Sequence, residues 1–471
     1  MKRGFWVRTV LMSVLVVFHA AGVADAQTPK APCLDEVLQQ AILHDREVEI
    51  AGHMAEAAAI ERRKAVESYL PQFGLESSFR VIDEAIGTDP FILPPPADMV
   101  RVPSITLQEK RTFRAGIEVS QLLFSGFEVP RKIRAADHGH MAAQFLTEAK
   151  KQHLVLSVAG LYDSLSLTEQ ALALMDREHE RLAAEKEKAM KAFSEGLIPY
   201  YDLARLDTAI NEIYSRRIEI RGKRHLAALR LEQVSGIDRD RFFGDVPELA
   251  VIEMPPGIDP ARPPASGSGG GERSRGMHAA PVNGDPPDVK ALYEARQAAG
   301  YLYQAERSAY LPKVVAFYRH ELYEDDLSVL EPARAGGVLL RWDLFTGLSR
   351  SREVQQANIE QQIASSRLAD ARLDAAMGRE QASVNEAVAR QQIEAADANL
   401  KSVALSLELA SERYDAGLAP VSEFLEARAD YQRARLARME AVYQQRRAAM
   451  DSLYTHGMLS IEIVLNIGKK L

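Results

Sequence analysis

The sequence holds a single cysteine, Cys33, so no disulfide can form within the chain. Only 2 of its 471 residues are tryptophan. Beyond the N-terminus no stretch reaches about 18 consecutive apolar residues, which argues against a membrane-spanning helix. An excess of positive charge is also missing: the net charge is −8, which offers nothing to hold a nucleic acid. No His-Glu-x-x-His or Gly-x-Ser-x-Gly motif occurs. The run Gly267-Ser268-Gly269-Gly270-Gly271 lacks the Gly-Lys-Ser/Thr that would make it a phosphate loop. His138 and His140 are two apart in a helical pattern, where such residues do not face each other. The chain reads as a non-enzyme with no cofactor and no metal.

What is present begins with an export signal. Lys2, Arg3 and Arg8 precede a mostly apolar run from Val10 to Phe18, too short to span a bilayer. Ala24-Asp25-Ala26 is a cleavage signature, so residues 1–26 read as a signal peptide. Pro32 stands before Cys33, where a lipoprotein signal carries a small residue, so lipidation of Cys33 is not expected.

The mature chain is organised around two similar stretches. Phe193-Ser-Glu-Gly196-Leu197-Ile-Pro199-Tyr-Tyr-Asp202 and Tyr414-Asp-Ala-Gly417-Leu418-Ala-Pro420-Val-Ser-Glu423 share one layout. A glycine suited to a left-handed helix stop is followed by a proline suited to the first turn of a new helix. Each is thus the tip of a helical hairpin, and the two glycines are 417 − 196 = 221 residues apart. The same offset separates Phe124 from Phe345 in Leu-Phe-Ser/Thr-Gly, and Gly236 from Gly457. The chain is a duplication. Residues 27–236 form the first repeat and 288–457 the second. A Pro/Gly-rich linker covers 237–287, with 266–275 expected to be disordered. Residues 458–471 form a C-terminal tail.

Each repeat reads as helix, two strands, very long helix and return helix. Leu34 to Leu70 reads as helix, its apolar positions falling largely on helical spacings, and ends at Pro71. Phe73, Leu75, Phe79 and Val81 then alternate with Gly74, Glu76, Ser78 and Arg80, the period of a strand. Residues 82–108 read as loop because of their prolines and Gly87. Phe113, Ala115, Ile117 and Val119 alternate with Arg114, Gly116, Glu118 and Ser120. In the second repeat, Lys313 to Glu321 is a weaker strand, and Val338, Leu340, Trp342 and Leu344 alternate with Leu339, Arg341 and Asp343. The long helix from about Arg131 to Ser194 would span about 96 Å, too long for the inside of a compact globule. Such helices suit the wall of a cylinder, with two short helices alongside each long one. Four strands cannot close a barrel by themselves, and an open edge is not viable in hydrocarbon. Lipid-facing strands would therefore require a barrel shared between chains. A soluble open sheet or sandwich is the alternative.

In their order, duplication and constant offset, these features resemble the TolC family of outer-membrane efflux channels. The likeness runs from Leu34 to about Gly457. It rests on Leu34-Asp35-Glu36-Val37-Leu38, on Leu-Pro at 70–71 and 311–312, on both Leu-Phe-Ser/Thr-Gly strand ends and on both Gly-Leu-x-Pro tips. The resemblance implies a mainly α fold with a β-barrel part. Duplicated helical hairpins would form a periplasmic tunnel, and four strands per chain would contribute to a trimeric, twelve-stranded transmembrane barrel. It implies residence in the outer membrane, as the channel of a tripartite efflux system supplied by an inner-membrane transporter and a periplasmic adaptor protein. Two other readings stay open: a protein-secretion channel, and a soluble periplasmic coiled-coil adaptor or scaffold.

Residue by residue, the resemblance puts Asp202, Tyr414, Gly417, Glu423 and Glu426 at the periplasmic entrance. Ala419 stands where the family carries an arginine. Gly196, Leu197, Pro199, Gly417, Leu418 and Pro420 would be the tips that dock the adaptor. Phe113, Ile117, Val338, Leu340 and Trp342 would face outer-membrane lipid. Glu423 and Glu426 share a helix face. In a trimer they would make a ring of six carboxylates favouring cations. A solvated acidic helix start would look the same in sequence.

Overall fold

The computed structural model describes residues 31–92, 101–102, 104–243, 247, 249–252, 285–324 and 332–469. The expected signal peptide and residues 266–275 of the linker lie outside them. Helix dominates. Following a short pair, α1 (Leu34–His44) and α2 (Arg46–Glu67), the chain enters β1 (Gln72–Val81). Four short strands follow: β2 (Ile86–Thr88), β3 (Phe91–Ile92), β4 (Arg101–Val102) and β5 (Ile105–Gln108). Then come β6 (Arg111–Phe124), α3 (Glu128–Ser194) and α4 (Tyr200–Ser235). The second repeat comprises α5 (Pro287–Ser308), β7 (Lys313–Glu324), β8 (Arg334–Arg341), α6 (Ser349–Asp415) and α7 (Val421–Thr455). A final helix, α8, covers Ile461–Lys469 of the tail.

Several boundaries differ from the sequence reading. The first helix is two helices, because Asp45 leaves the helical conformation (ψ 119°) and caps α2, accepting the Val48 N–H at 2.9 Å. The apolar spacing runs on through this break, so periodicity alone hides it. The expected loop at 82–108 instead continues the hairpin outward, with β2 paired to β5 and β3 to β4. Pro199 and Pro420 are N-caps with extended backbone, and the return helices start one residue later.

The long helices α3 and α6 each contain 67 residues, about 100 Å of helix. α2 and α4 lie along α3, α7 lies along α6, and α5 packs against both long helices. Both hairpin tips close as Schellman turns. Gly196 (φ 75°) and Gly417 (φ 70°) are left-handed, Leu197 N–H reaches Ala192 C=O at 2.9 Å, and Leu418 N–H reaches Arg413 C=O at 2.7 Å. At the other end of each long helix, the strand turns into helix through two successive left-handed residues, Gly126-Phe127 and Gly347-Leu348. Phe127 and Leu348 are the only non-glycine residues with positive φ among the described residues. The duplication thus preserves an uncommon backbone turn as well as a sequence pattern.

The main core lies midway along the helices. Val37, Leu38 and Ala41 of α1 pack with Val158, Ala159 and Leu165 of α3, Leu231 of α4 and Leu453 of α7. The near ends of the linker are anchored here. Phe242 is fully buried, and Gln445 pairs with both backbone groups of Ile252 at 3.0 and 2.8 Å. Arg446 bonds both carboxylate oxygens of Asp163, at 2.8 and 3.0 Å, and donates to Ala250 C=O at 2.9 Å. Burial raises the Asp163 pKa, and the Arg446 guanidinium opposes this. Tyr162 donates to Pro32 C=O at 3.2 Å, and its phenol is pushed up to about 12, chiefly by burial. α8 covers the same core with Val464, while Leu459 in the turn before it is fully buried.

The sheet is four-stranded and antiparallel, in the order β1-β6-β7-β8. Its register sorts side chains onto two faces. Phe73 lies opposite Val119, Leu75 opposite Ile117 and Phe79 opposite Phe113. Val119 lies opposite Tyr318, and across β7 and β8 Val314 meets Leu340 and Ala316 meets Val338. That face is apolar and exposed, with Phe73 at 76% and Leu75 at 74%. The other face carries Glu118, bonded to Arg319 at 2.8 Å, and is concave: Glu118, Phe317, Arg319, Leu339 and Arg341 line one hollow. The Trp342 expectation shifts. It lies one residue beyond β8 and gives its indole N–H to Tyr310 C=O at 3.1 Å.

Candidate functional site: the hairpin tips and the sheet

Near the tips, the first and second hairpins of the chain join through a small core of Leu174, Met175, Leu182, Leu206, Ile213 and Val421, with Tyr414 packed against it. Tyr414, in the last turn of α6, stacks on Phe424 of α7 with ring centroids 5.1 Å apart and planes 12° from parallel. Glu185 of α3 and Asp202 of α4 lie close enough to act on its hydroxyl. Burial, then Glu185, then Asp202 and Asp415, push the phenol up to about 12. Tyr414 therefore stays neutral and donating across the physiological range.

A second link lies one turn deeper. Arg428 bonds Glu178 of α3, and both side chains are nearly buried, at 14% and 4% exposure. The Arg428 guanidinium also sits 5.4 Å from the Phe424 ring centroid. Tyr414, Phe424 and Arg428 thus form a column, tied at its two ends to Glu185 and Glu178 of the other hairpin.

Of the residues singled out from sequence, the structure brings Asp202 and Tyr414 together. Glu423 sits at the start of α7 and is engaged elsewhere: Arg413 of α6 bonds it at 2.6 Å across the tip. Its charge is largely answered within its own hairpin. Glu426 is exposed on the next turn. Ala419 is half-buried. Leu197 and Leu418 project from the tips at 71% and 74% exposure. Gly196 and Gly417 have open space around them, so their left-handed φ, not crowding, calls for glycine. Phe113, Ile117, Val338 and Leu340 share the apolar face of the sheet, with Val338 at 64% and Leu340 at 61% exposure. His138 does not meet His140; it bonds Glu294 of α5 at 2.5 Å and stacks on Tyr301.

Sequence reasoning missed Glu178, Glu185, Arg413 and Arg428. For Glu178 there was a signal: it occupies the apolar stripe of Leu174, Met175 and Leu182, where a lone carboxylate requires a partner.

A sequence profile for outer membrane efflux proteins matches residues 37–237 and 284–454. The chain belongs to that family. Members of the outer membrane efflux family are channels of the outer membrane with a large helical part in the periplasm, and they are not enzymes. No curated protein sequence matches the chain. Solved structures share its fold. The Campylobacter jejuni CmeC outer-membrane channel superposes with a TM-score of 0.69 at 19% identity, over 93% of this chain and 89% of that one. VceC of Vibrio cholerae gives 0.71 at 15% identity, over 90% and 96%. The open state of the Neisseria gonorrhoeae MtrE channel gives 0.67 at 16% identity, over 91% and 90%.

Proposed function

We propose that three copies of this chain form one outer-membrane channel, the exit duct of a tripartite efflux system. The observation that carries this is the sheet. It has four strands, an exposed apolar face, and two edges, β1 and β8, without a partner among the described residues. Hydrocarbon does not tolerate such edges, and four strands do not close. Three sheets pairing β8 to β1 would give a closed barrel of twelve strands. The helices support the same assembly. Along α6, Ile359, Ile363, Leu373, Met377, Val384 and Val388 are exposed in the single chain, an apolar stripe that a neighbouring copy would cover. The concave, charged face of the sheet then lines the lumen. A soluble adaptor or scaffold gains nothing from exposing Phe73, Leu75, Val338 and Leu340.

In this reading the tips are the periplasmic entrance. The Tyr414–Glu185 and Arg428–Glu178 links hold the two hairpins of each chain together and narrow it. Leu197 and Leu418 offer apolar knobs to a periplasmic adaptor, through which an inner-membrane pump would deliver substrate. In this reading the channel conducts passively what the pump delivers. The test is fractionation and conductance. The full chain should sit in the outer membrane, cross-link as a trimer and conduct ions in planar bilayers. Recovery as a soluble monomer would overturn the proposal.

A further inference from the structure

Where the sheet meets the helices, the concave face opens into a cavity of about 820 Å³. Its walls are apolar: Leu70, Leu122, Val129, Leu302 and Val315. Its charged groups are Lys64, Lys132 and Lys313, with Glu61 and Glu128. Lys313 and Val315 also line the adjoining hollow, together with Arg341, Arg319 and Glu118. Lys313 and Arg341 are directly opposed in the β7–β8 ladder. Like charges so placed repel, and a fold keeps such a pair at a cost of stability.

The carboxylates answer only part of this charge. Glu61 bonds Lys64 at 2.8 Å. Glu128 is shared between Lys132 at 2.7 Å and Lys313 at 2.6 Å. Burial resists ionisation of Glu128, and the two ammonium groups outweigh it and keep its carboxyl below the usual range. Arg341 makes no ion pair with a described residue. Across the cavity and the hollow, Lys64, Lys132, Lys313, Arg319 and Arg341 face only Glu61, Glu118 and Glu128, and all three carboxylates are already engaged. The cavity combines apolar walls with unanswered positive charge, and its volume suits a small organic molecule.

We propose that this cavity is a transit subsite for amphiphilic organic anions, with an aromatic or aliphatic body against Leu122, Val129 and Leu302 and a carboxylate or sulfonate on Lys313 and Arg341. Three copies would place the subsite three times around the lumen at the base of the barrel. It rests on the reading of the concave face as the lumen of a trimer.

The experiment uses the full chain in lipid nanodiscs and calorimetric titration with 2-naphthalenesulfonate, with empty discs as the blank. Saturable binding above the blank is expected. Lys313→Gln combined with Arg341→Gln should weaken it at least about tenfold. Leu302→Ser, at an exposed wall position, should weaken it less and serves as a second probe that leaves the charges in place. The cation 2-naphthylmethylammonium should not bind saturably. No binding by a trimeric wild type, equal binding by the double variant, or equal binding of the cation would each overturn the subsite and leave the channel reading intact. A chain that is not trimeric in the discs overturns both.

Discussion

Arg428 of the second hairpin and Glu178 of the first, 250 residues apart in sequence, form a nearly buried ion pair under the Phe424 ring. Removing one partner of such a pair strands the other charge, at a cost of about 3–5 kcal/mol, while replacing both with apolar groups is often close to neutral. Arg428→Leu should therefore lower the thermal midpoint of the helical signal markedly. Glu178→Leu with Arg428→Leu should recover most of the loss. A double variant as unstable as the single one would show that the pair contributes more than relief of a buried charge.

Tyr414 should titrate late. An unfolded tyrosine ionises near 10.0 and Tyr414 near 12, so the folded state holds its proton more tightly. Its contribution to stability is complete below pH 10 and is lost as pH rises through 12. Tyrosinate absorbance of the Tyr414→Phe variant should lack one late-ionising group, and the late ionisation of Tyr162 should remain. Loss of a group that ionises near 10 instead would contradict the burial of Tyr414 against Glu185 and Asp202.

If the tips form the entrance, as proposed, its two acidic residues should not act equally. Glu423 is bridged to Arg413, whereas Glu426 is exposed. In planar bilayers Glu426→Gln should reduce cation preference more than Glu423→Gln, and Arg413→Gln should increase it by freeing Glu423. Reversal potentials in a salt gradient measure all three. Equal shifts for the two glutamine variants would count against the bridge.

The faces of the sheet should differ in tolerance. Ile117→Arg places a charge on the apolar face, at a cost of about 2–4 kcal/mol near the midplane of a bilayer. Insertion into outer-membrane fractions should fall. Glu118→Gln, one residue along and on the charged face, should insert normally. Equal insertion of both would remove the barrel assignment of this strand.

Two left-handed glycines should respond differently to alanine. Gly417 and Gly457 both have positive φ, which costs alanine about 1–2 kcal/mol. At Gly417 nothing lies near a new Cβ, but at Gly457 it would stand 2.9 Å from the Asp285 carbonyl oxygen. Gly457→Ala should therefore destabilise the fold more than Gly417→Ala, as read by thermal melting. The reverse order would contradict the packing of the α7 end on the start of α5.

The sequence by itself determined the elements whose causes are local. The 221-residue duplication, the Gly-x-x-Pro tips and the alternating apolar strands are legible because each follows from conformational preferences and side-chain period within a few residues. Asp45 was not legible, since one capped break leaves the apolar spacing of α1 and α2 almost unchanged. The ladder at 86–108 was hidden behind its prolines. Tertiary structure alone decided which side chains meet between hairpins: Tyr414 with Glu185, Arg428 with Glu178, Arg446 with Asp163. These pairings depend on the axial stagger of helices about 100 Å long. A shift of one turn along such a helix leaves its own pattern intact and changes every partner across the interface. The same holds for Lys313 and Arg341, whose opposition is fixed by the register of β7 on β8 and by nothing in either strand alone.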